Sequence, residues 1–189
     1  DLPDFEPATL EGKISDSLLA PEFSLTLNSM SGDLSIDGSI DIPDKRYAIN
    51  MKYSGLELGK LAGIADMDRI SGTINLAGKE FAPANMKINS SITIDSAVYR
   101  GYNWHDINID IKGDNGSYNY LIKSADPSFE SDLAGTVDLK DSIITGNISG
   151  YFNLDAGKLK FYGNMTAGGN LDAEMEYFPG NILTRISLK

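Results

Sequence analysis

Cysteine is absent from the 189-residue chain, which removes disulfides, thiolate metal ligands and a cysteine nucleophile in one step. Histidine occurs once, at His105, so a metal site built from Cys and His has no inventory to draw on. No run of 18 apolar residues exists, so nothing here is expected to span a bilayer as a helix. Cations are the minority, with 16 Lys and Arg against 27 Asp and Glu and a net charge of −11. Nucleic-acid binding and docking on an anionic membrane surface both need clustered cations, so neither partner is expected. No signal peptide opens the chain. It starts at Asp1 without Met, and the expectation is an excised or processed piece of something longer.

What is present is ordinary for a folded protein. Hydrophobic residues make up 41% and charged residues 23%, with 19 glycines among many Ser, Asn and Asp. That combination argues for a turn-rich domain rather than a disordered chain.

The dominant pattern is period two. Leu34, Ile36, Ile40 and Ile42 alternate with polar residues, as do Tyr47, Ile49, Met51 and Tyr53. The same holds for Ile70, Ile74 and Leu76, then Met86, Ile88, Ile92 and Ile94, then Ile107, Ile109 and Ile111. It continues through Tyr118, Tyr120 and Ile122, then Leu133, Val137 and Leu139, then Ile148, Phe152 and Leu154. The last third adds Leu159, Phe161 and Met165, then Leu171, Met175 and Tyr177. Successive strand residues point to opposite faces, so these are half-buried antiparallel strands, about a dozen in all.

Turn chemistry divides the runs. Asp114-Asn115-Gly116 is a hairpin signal, because Asn and Gly tolerate positive φ. Ser31-Gly32-Asp33, Pro43-Asp44-Lys45, Asp155-Ala156-Gly157, Ala167-Gly168-Gly169-Asn170 and Pro179-Gly180-Asn181 are expected to turn as well. Connections this short predict a meander of sequential neighbours. One stretch departs from the rhythm. Leu58, Leu61, Ala62 and Ala65 follow helical spacing within residues 56–67, with Gly63 weakening the middle. It predicts a helix of two or three turns.

Glycines recur in phase with the apolar residues, at Gly38, Gly72, Gly135, Gly150 and Gly163. Gly inside a strand marks a bend or a close approach of backbones. Two readings stand: ordinary curvature points of a sandwich or barrel, or a sheet folded sharply on itself.

Catalytic chemistry is hard to assemble. His105 and Asp106 are a base beside an acid, but adjacent strand residues are expected to face opposite ways. Asp106-x-Asn108-x-Asp110 opens like an EF-hand calcium loop and then fails, with Ile111 and Ser117 where Gly and Glu are needed. Tyr99, Tyr102 and Trp104 offer a sugar-stacking platform or plain core packing. No enzyme, metal site or cofactor is expected.

At this point a resemblance enters. Leu56-x-Leu58-x-x-Leu61 leading into Ile70-x-Gly72-x-Ile74-x-Leu76-x-Gly78 is similar to segments of the TamB/AsmA-like translocation and assembly family. So are Ile92-x-Ile94-x-x-Ala97 with Tyr99, Trp104-x-x-Ile107-x-Ile109, and Ser124-x-Asp126-Pro127 ahead of Leu133-x-Gly135. The acidic composition suggests the Bacteroidetes type, and the likeness runs roughly from Thr9 to Met165. It implies an all-β antiparallel meander curled into an elongated folded sheet, a β-taco or groove, with one short helix near residues 56–66. It implies a single segment, residues 1–189, of a longer periplasmic protein anchored in the inner membrane through a segment not in this chain. It further implies a non-catalytic role in outer-membrane biogenesis, with phospholipid acyl chains or outer-membrane protein strands held on the apolar face and the outer-membrane assembly machinery as partner.

On that reading the groove lining comes from the alternating residues. Ile36, Ile40, Ile49, Met51, Ile74, Leu76, Ile88, Ile92, Ile109 and Ile111 supply the first half. Tyr120, Ile122, Val137, Leu139, Ile148, Phe152, Phe161 and Met165 supply the second. The competing expectation is a closed β-sandwich acting as a surface adhesin or carbohydrate-binding module through Tyr99, Tyr102 and Trp104. A groove segment would also leave unpaired edge strands, which predicts self-association.

Overall fold

The computed structural model describes residues 8–64, 66–140, 143–159, 165–178 and 181–188. Alternation of small polar and apolar residues makes one face of each segment apolar, and antiparallel pairing lines those faces up. Twelve strands result among the described residues: β1 (Ala8–Ser17), β2 (Ala20–Ser29), β3 (Gly32–Asp41) and β4 (Arg46–Glu57), then β5 (Met67–Lys79) and β6 (Lys87–Tyr99). After these come β7 (Tyr102–Asp114), β8 (Ser117–Asp126), β9 (Phe129–Lys140), β10 (Ile143–Asp155), β11 (Thr166–Phe178) and β12 (Asn181–Leu188). They form one antiparallel sheet in sequence order from β1 to β12. The sheet does not close: among the described residues β1 pairs only with β2 and β12 only with β11. A closed sandwich is therefore not what this chain forms.

Turns behave as their residues require. Asn115 and Gly116 take φ of 51° and 78°, the pair of positive values a tight two-residue hairpin needs. Residues 42–45 also turn as expected, whereas of Ser31-Gly32-Asp33 only Ser31 turns, together with Met30, and Gly32 and Asp33 open β3. Two expectations need correction. Ala167-Gly168-Gly169-Asn170 does not turn but lies within β11, paired with Leu154 to Tyr151 of β10. Leu159, expected on a strand, ends a turn over residues 156–159 and is completely buried. Ala65, Phe161, Gly163 and Pro179-Gly180 lie outside the described residues.

The helix is real but shorter than the periodicity predicts. α1 covers Leu58–Ala62 and stops at Gly63, which takes the left-handed conformation at φ 66°. Leu56 and Glu57 belong to β4 instead, with Leu56 opposite Ile70 and Glu57 opposite Arg69. A bulge makes this possible: register shifts between Tyr53 and Leu56, and Gly55 sits at φ 59°.

Successive connections at each end of the strands are laced by backbone bonds. At one rim Ile42 donates its N–H to Leu19 at 2.8 Å, Glu80 to Lys45 at 2.8 Å and Leu139 to Gly116 at 2.7 Å. At the other, Glu57 donates to Ser31 at 2.8 Å, Arg100 to Asp66 at 2.9 Å and Asp155 to Ser128 at 2.8 Å.

Little of the chain is fully buried. Among the described residues the buried apolar set is Tyr53, Leu56, Ala97, Leu133, Ala156 and Leu159. The accessible surface is 12110 Å², whereas a compact monomer of this mass exposes about 8,800 Å². The described strands form one layer with no second sheet on which to bury a face, which keeps the exposed area large.

Candidate functional site

Register converts twelve separate alternations into one surface. Starting at Gly12, directly opposed residues run Leu25, Ile36, Met51, Ile74, Ile92, Ile109, Ile122, Leu133, Gly150, Leu171 and Leu188. The next row runs Ile14, Phe23, Gly38, Ile49, Leu76, Ser90, Ile111, Tyr120, Gly135, Ile148, Ala173 and Ile186. Neither row contains a charged residue. At the usual spacing of strands the two rows extend about 50 Å across the sheet.

Almost all the residues expected to line a groove share this face. Ile36, Ile40, Ile49, Met51, Ile74, Leu76, Ile88, Ile92, Ile109, Ile111, Tyr120, Ile122, Val137, Leu139, Ile148 and Phe152 sit on strands in the same phase, each half-buried. Neighbours on both sides shield them, while among the described residues no second layer of sheet covers them. Met165 falls just ahead of β11 rather than on a strand and is 56% exposed. Phe161 is outside the described residues.

The in-phase glycines have a specific use. Phe23 stands opposite Gly38, Tyr47 opposite Gly78, Tyr53 opposite Gly72, Tyr118 opposite Gly113 and Tyr120 opposite Gly135. In each pair the ring lies where a glycine side chain would be: a Cβ at Gly38 would meet Phe23 Cζ at 2.5 Å, and one at Gly72 would meet Tyr53 Oη at 2.8 Å. Aromatic rings thus pave the floor by lying flat over bare backbone. The hydroxyls reach one strand further. Tyr53 donates to the Thr93 carbonyl at 3.3 Å and Tyr120 to the Asn147 carbonyl at 2.7 Å. Burial pushes both hydroxyls above their ordinary pKa, with Asp95 adding to the effect at Tyr53, so both stay neutral donors at neutral pH.

Near one rim the apolar phase changes. Tyr53 to Leu56, Ile94 to Ala97 and Ile107 to Trp104 each jump three residues rather than two, while β5 spans the same gap with Ser71 alone. The result turns Leu56, Ala97, Tyr99, Tyr102 and Trp104 onto the face that Ile94 and Ile107 occupy. Trp104 then packs edge-on between Tyr102 and Phe129, with ring centroids 5.4 and 5.9 Å away. Tyr99, Tyr102 and Trp104 therefore do not form a flat stacking platform.

Asp126 completes this rim. It is fully buried, and its carboxylate accepts from the Tyr102 hydroxyl at 2.6 Å, the His105 backbone N–H at 3.0 Å and the Ser128 N–H at 2.8 Å. It takes up the donors left where the β7–β8 ladder ends at Ile107 and Ser124. Burial, then this carboxylate, raises the Tyr102 pKa. The expectation that His105 and Asp106 face apart is corrected: Asp106 takes φ 56°, which brings its Oδ2 to 2.7 Å from His105 Nδ1. The pair sits on the exposed side of the strand, where the Asp106 side chain is 64% accessible. Asp106, Asn108 and Asp110 are all exposed along β7, as a solvated strand face would be.

Charge is kept to the rims and the outer face. Lys45 pairs with Glu80 at 2.8 Å, and Arg46 with Asp41 at 3.0 Å. Glu57 is bracketed by Lys60 at 2.6 Å and Arg69 at 3.0 Å, which hold its carboxyl below the usual glutamate range. Among the described residues no group of three His, Cys, Asp or Glu could hold a metal ion, and no helix is long and apolar enough to cross a membrane.

The apolar face holds an open hollow of about 510 Å³ over β6 to β9, bordered by Ile88, Ile109, Ile111, Tyr118, Tyr120, Ile122, Val137 and Leu139 with Pro83 and Met86. Hollows of similar size elsewhere carry charged residues, such as Lys87, Lys112 and Asp114 in one and Asp106, Lys123, Glu130 and Asp132 in another. No protein-family model matches the chain, and comparison with curated proteins and with solved structures returns no match.

Proposed function

We propose that the protein is a non-catalytic holder of apolar chains, whose open sheet face takes lipid acyl chains in transfer across a bacterial periplasm. The observation that carries this reading is the pair of uncharged rows crossing all twelve strands, mostly half-buried from β2 to β11 and open above the hollow over β6 to β9. Apolar surface left open in water is unfavourable by about 25 cal/mol per Å², so covering it with an aliphatic chain is the chemistry it supports best. An aliphatic chain asks for no hydrogen bond, and the rows from Gly12 to Leu188 and from Ile14 to Ile186 offer almost none. The resemblance to TamB/AsmA-like proteins supports the same role and supplies the compartment, the inner-membrane anchor and the outer-membrane assembly partner.

Client β-strands are a second reading, favoured by a different observation. β1 and β12 each leave one ladder unpaired, and both carry exposed apolar residues, including Ile14 at 76% and Ile186 at 67%. An unpaired ladder accepts an extended strand through its main chain. Mass spectrometry of the purified protein separates the two. Phospholipid co-purifying with the wild type, and lost from Ile109→Asp and Val137→Asp, supports the acyl-chain reading. Protein free of lipid that also ignores a fluorescent fatty acid contradicts it.

A further inference from the structure

Residues 80–86 join β5 to β6, two neighbouring strands that a two-residue turn would connect. Such turns occur in this sheet, at Arg100-Gly101 and Asn115-Gly116. The longer connection reads Glu80-Phe81-Ala82-Pro83-Ala84-Asn85-Met86, apolar apart from Glu80 and Asn85 and longer than the apolar two-residue turn at Leu18-Leu19. Its extra length is spent reaching sideways. Toward β4, Glu80 turns the chain at φ 63°, donates its N–H to Lys45 at 2.8 Å and pairs its carboxylate with Lys45 Nζ at 2.8 Å. Phe81 stacks on Tyr47 of the apolar face, with centroids 6.0 Å apart and planes at 26°. Toward β8, the Pro83 carbonyl accepts from the Tyr118 hydroxyl. Ala84 lies against the β7–β8 turn, where a side chain on Gly116 would meet its carbonyl at 3.3 Å. A turn closed by Asn85 N–H to Ala82 at 2.9 Å keeps the loop compact. Pro83 and Met86 then face the same hollow as Ile109, Ile111, Ile122 and Val137.

We propose that residues 80–86 are a strap that lies over one rim of the apolar face and is displaced when an aliphatic chain enters the hollow over β6 to β9. This rests on the acyl-chain reading above and adds its regulation. The strap is held by contacts of a reversible kind: one ring stack, one hydroxyl bond, the Glu80 backbone bond to Lys45, and one ion pair whose Lys45 side chain is 51% exposed. Pro83 and Met86 cover apolar surface while no chain is bound, and a chain that seats there must take their place. The strap thus sets the threshold for loading.

The experiment compares binding of cis-parinaric acid to the wild type, to Phe81→Ala and to Phe81→Ala with Tyr118→Phe, after thermal melts confirm folding. Phe81 is 51% exposed, so its loss leaves the sheet intact. Loss of the ring stack and one hydrogen bond from the closed form tightens parinaric acid binding about tenfold in the double variant, with a smaller gain in the single one. In the wild type, saturating probe speeds amide exchange at Asn85 and Met86. Equal or weaker binding by both variants, with those amides unchanged by the probe, overturns the strap while leaving the apolar face as a binding surface. Failure of all three proteins to bind the probe overturns the acyl-chain reading and the strap with it.

Discussion

Tyr120 and Gly135 show how a single pair shapes the surface. The ring lies over the glycine, and its hydroxyl bonds to Asn147 on the strand beyond, so one residue joins three strands. Tyr120→Phe keeps the ring and removes the bond, which costs about 1 kcal/mol in urea unfolding. Gly72→Val drives a side chain into Tyr53 and the Thr93 carbonyl, and overpacking of this kind costs about 2–3 kcal/mol. Gly146→Ala is the matching control. Its nearest neighbour is the Thr136 carbonyl at 3.4 Å, so the change is neutral or stabilises by about 0.5 kcal/mol. Equal losses at Gly72 and Gly146 in the same denaturation series would contradict the paving account. Gly38, Gly72 and Gly135 were legible in the sequence as in-phase glycines, but their aromatic partners were not, and Gly78 and Gly113 emerge only from the register. Pairing Gly72 with Tyr53 requires the register, and periodicity alone leaves register open. His105 and Asp106 failed for a related reason, since strict alternation holds only where φ stays extended and Asp106 has φ 56°.

Elements extend the same lesson. Strand existence was readable from period two, because nearly every strand carries an alternating run. The three-residue steps at Ile94-x-x-Ala97 and Trp104-x-x-Ile107 were also present in the sequence, and they mark the bulged row that turns Trp104 onto the apolar face. Tyr53-x-x-Leu56 is the same signal, and missing it assigned Leu56 to a helix. Gly168-Gly169 misled in the opposite sense. Gly169 stands opposite Phe152 in β11, so the pair follows the aromatic–glycine pattern of the sheet rather than turn chemistry. At the β4–α1 junction the electrostatics are testable. Lys60 and Arg69 lower the Glu57 pKa in the folded state, so Glu57 binds a proton more readily when unfolded. Its stabilising contribution is present above the unfolded glutamate pKa of about 4.3 and disappears as pH falls through the lower folded value. Thermal melts between neutral pH and pH 2 then show a shallower acid loss in Glu57→Gln than in the wild type. Parallel profiles for the two proteins would remove Glu57 from the acid response.

For the whole molecule, the sequence left open whether the apolar face closes on itself. Open and closed sheets use the same alternation, because each strand carries one apolar face in both. Chain topology decides it, since no ladder joins β1 to β12. The open edges carry a consequence in solution. Leu10 at 65% and Ile14 at 76% on β1, with Ile182 at 60% and Leu188 at 64% on β12, leave apolar side chains beside unpaired backbone. Sedimentation is therefore expected to show mass rising with concentration, and Ile14→Pro in β1 to reduce it, because proline removes a donor and disfavours strand pairing. A monomer at every concentration would contradict the edge account. The face itself is tested most directly by photo-crosslinking in bacterial cells, with a benzophenone amino acid placed at Ile109 on the apolar rows or at Asp110 on the outer face. The account predicts phospholipid adducts from position 109 and none from position 110. No lipid adduct at 109, or equal adducts at both positions, would contradict it.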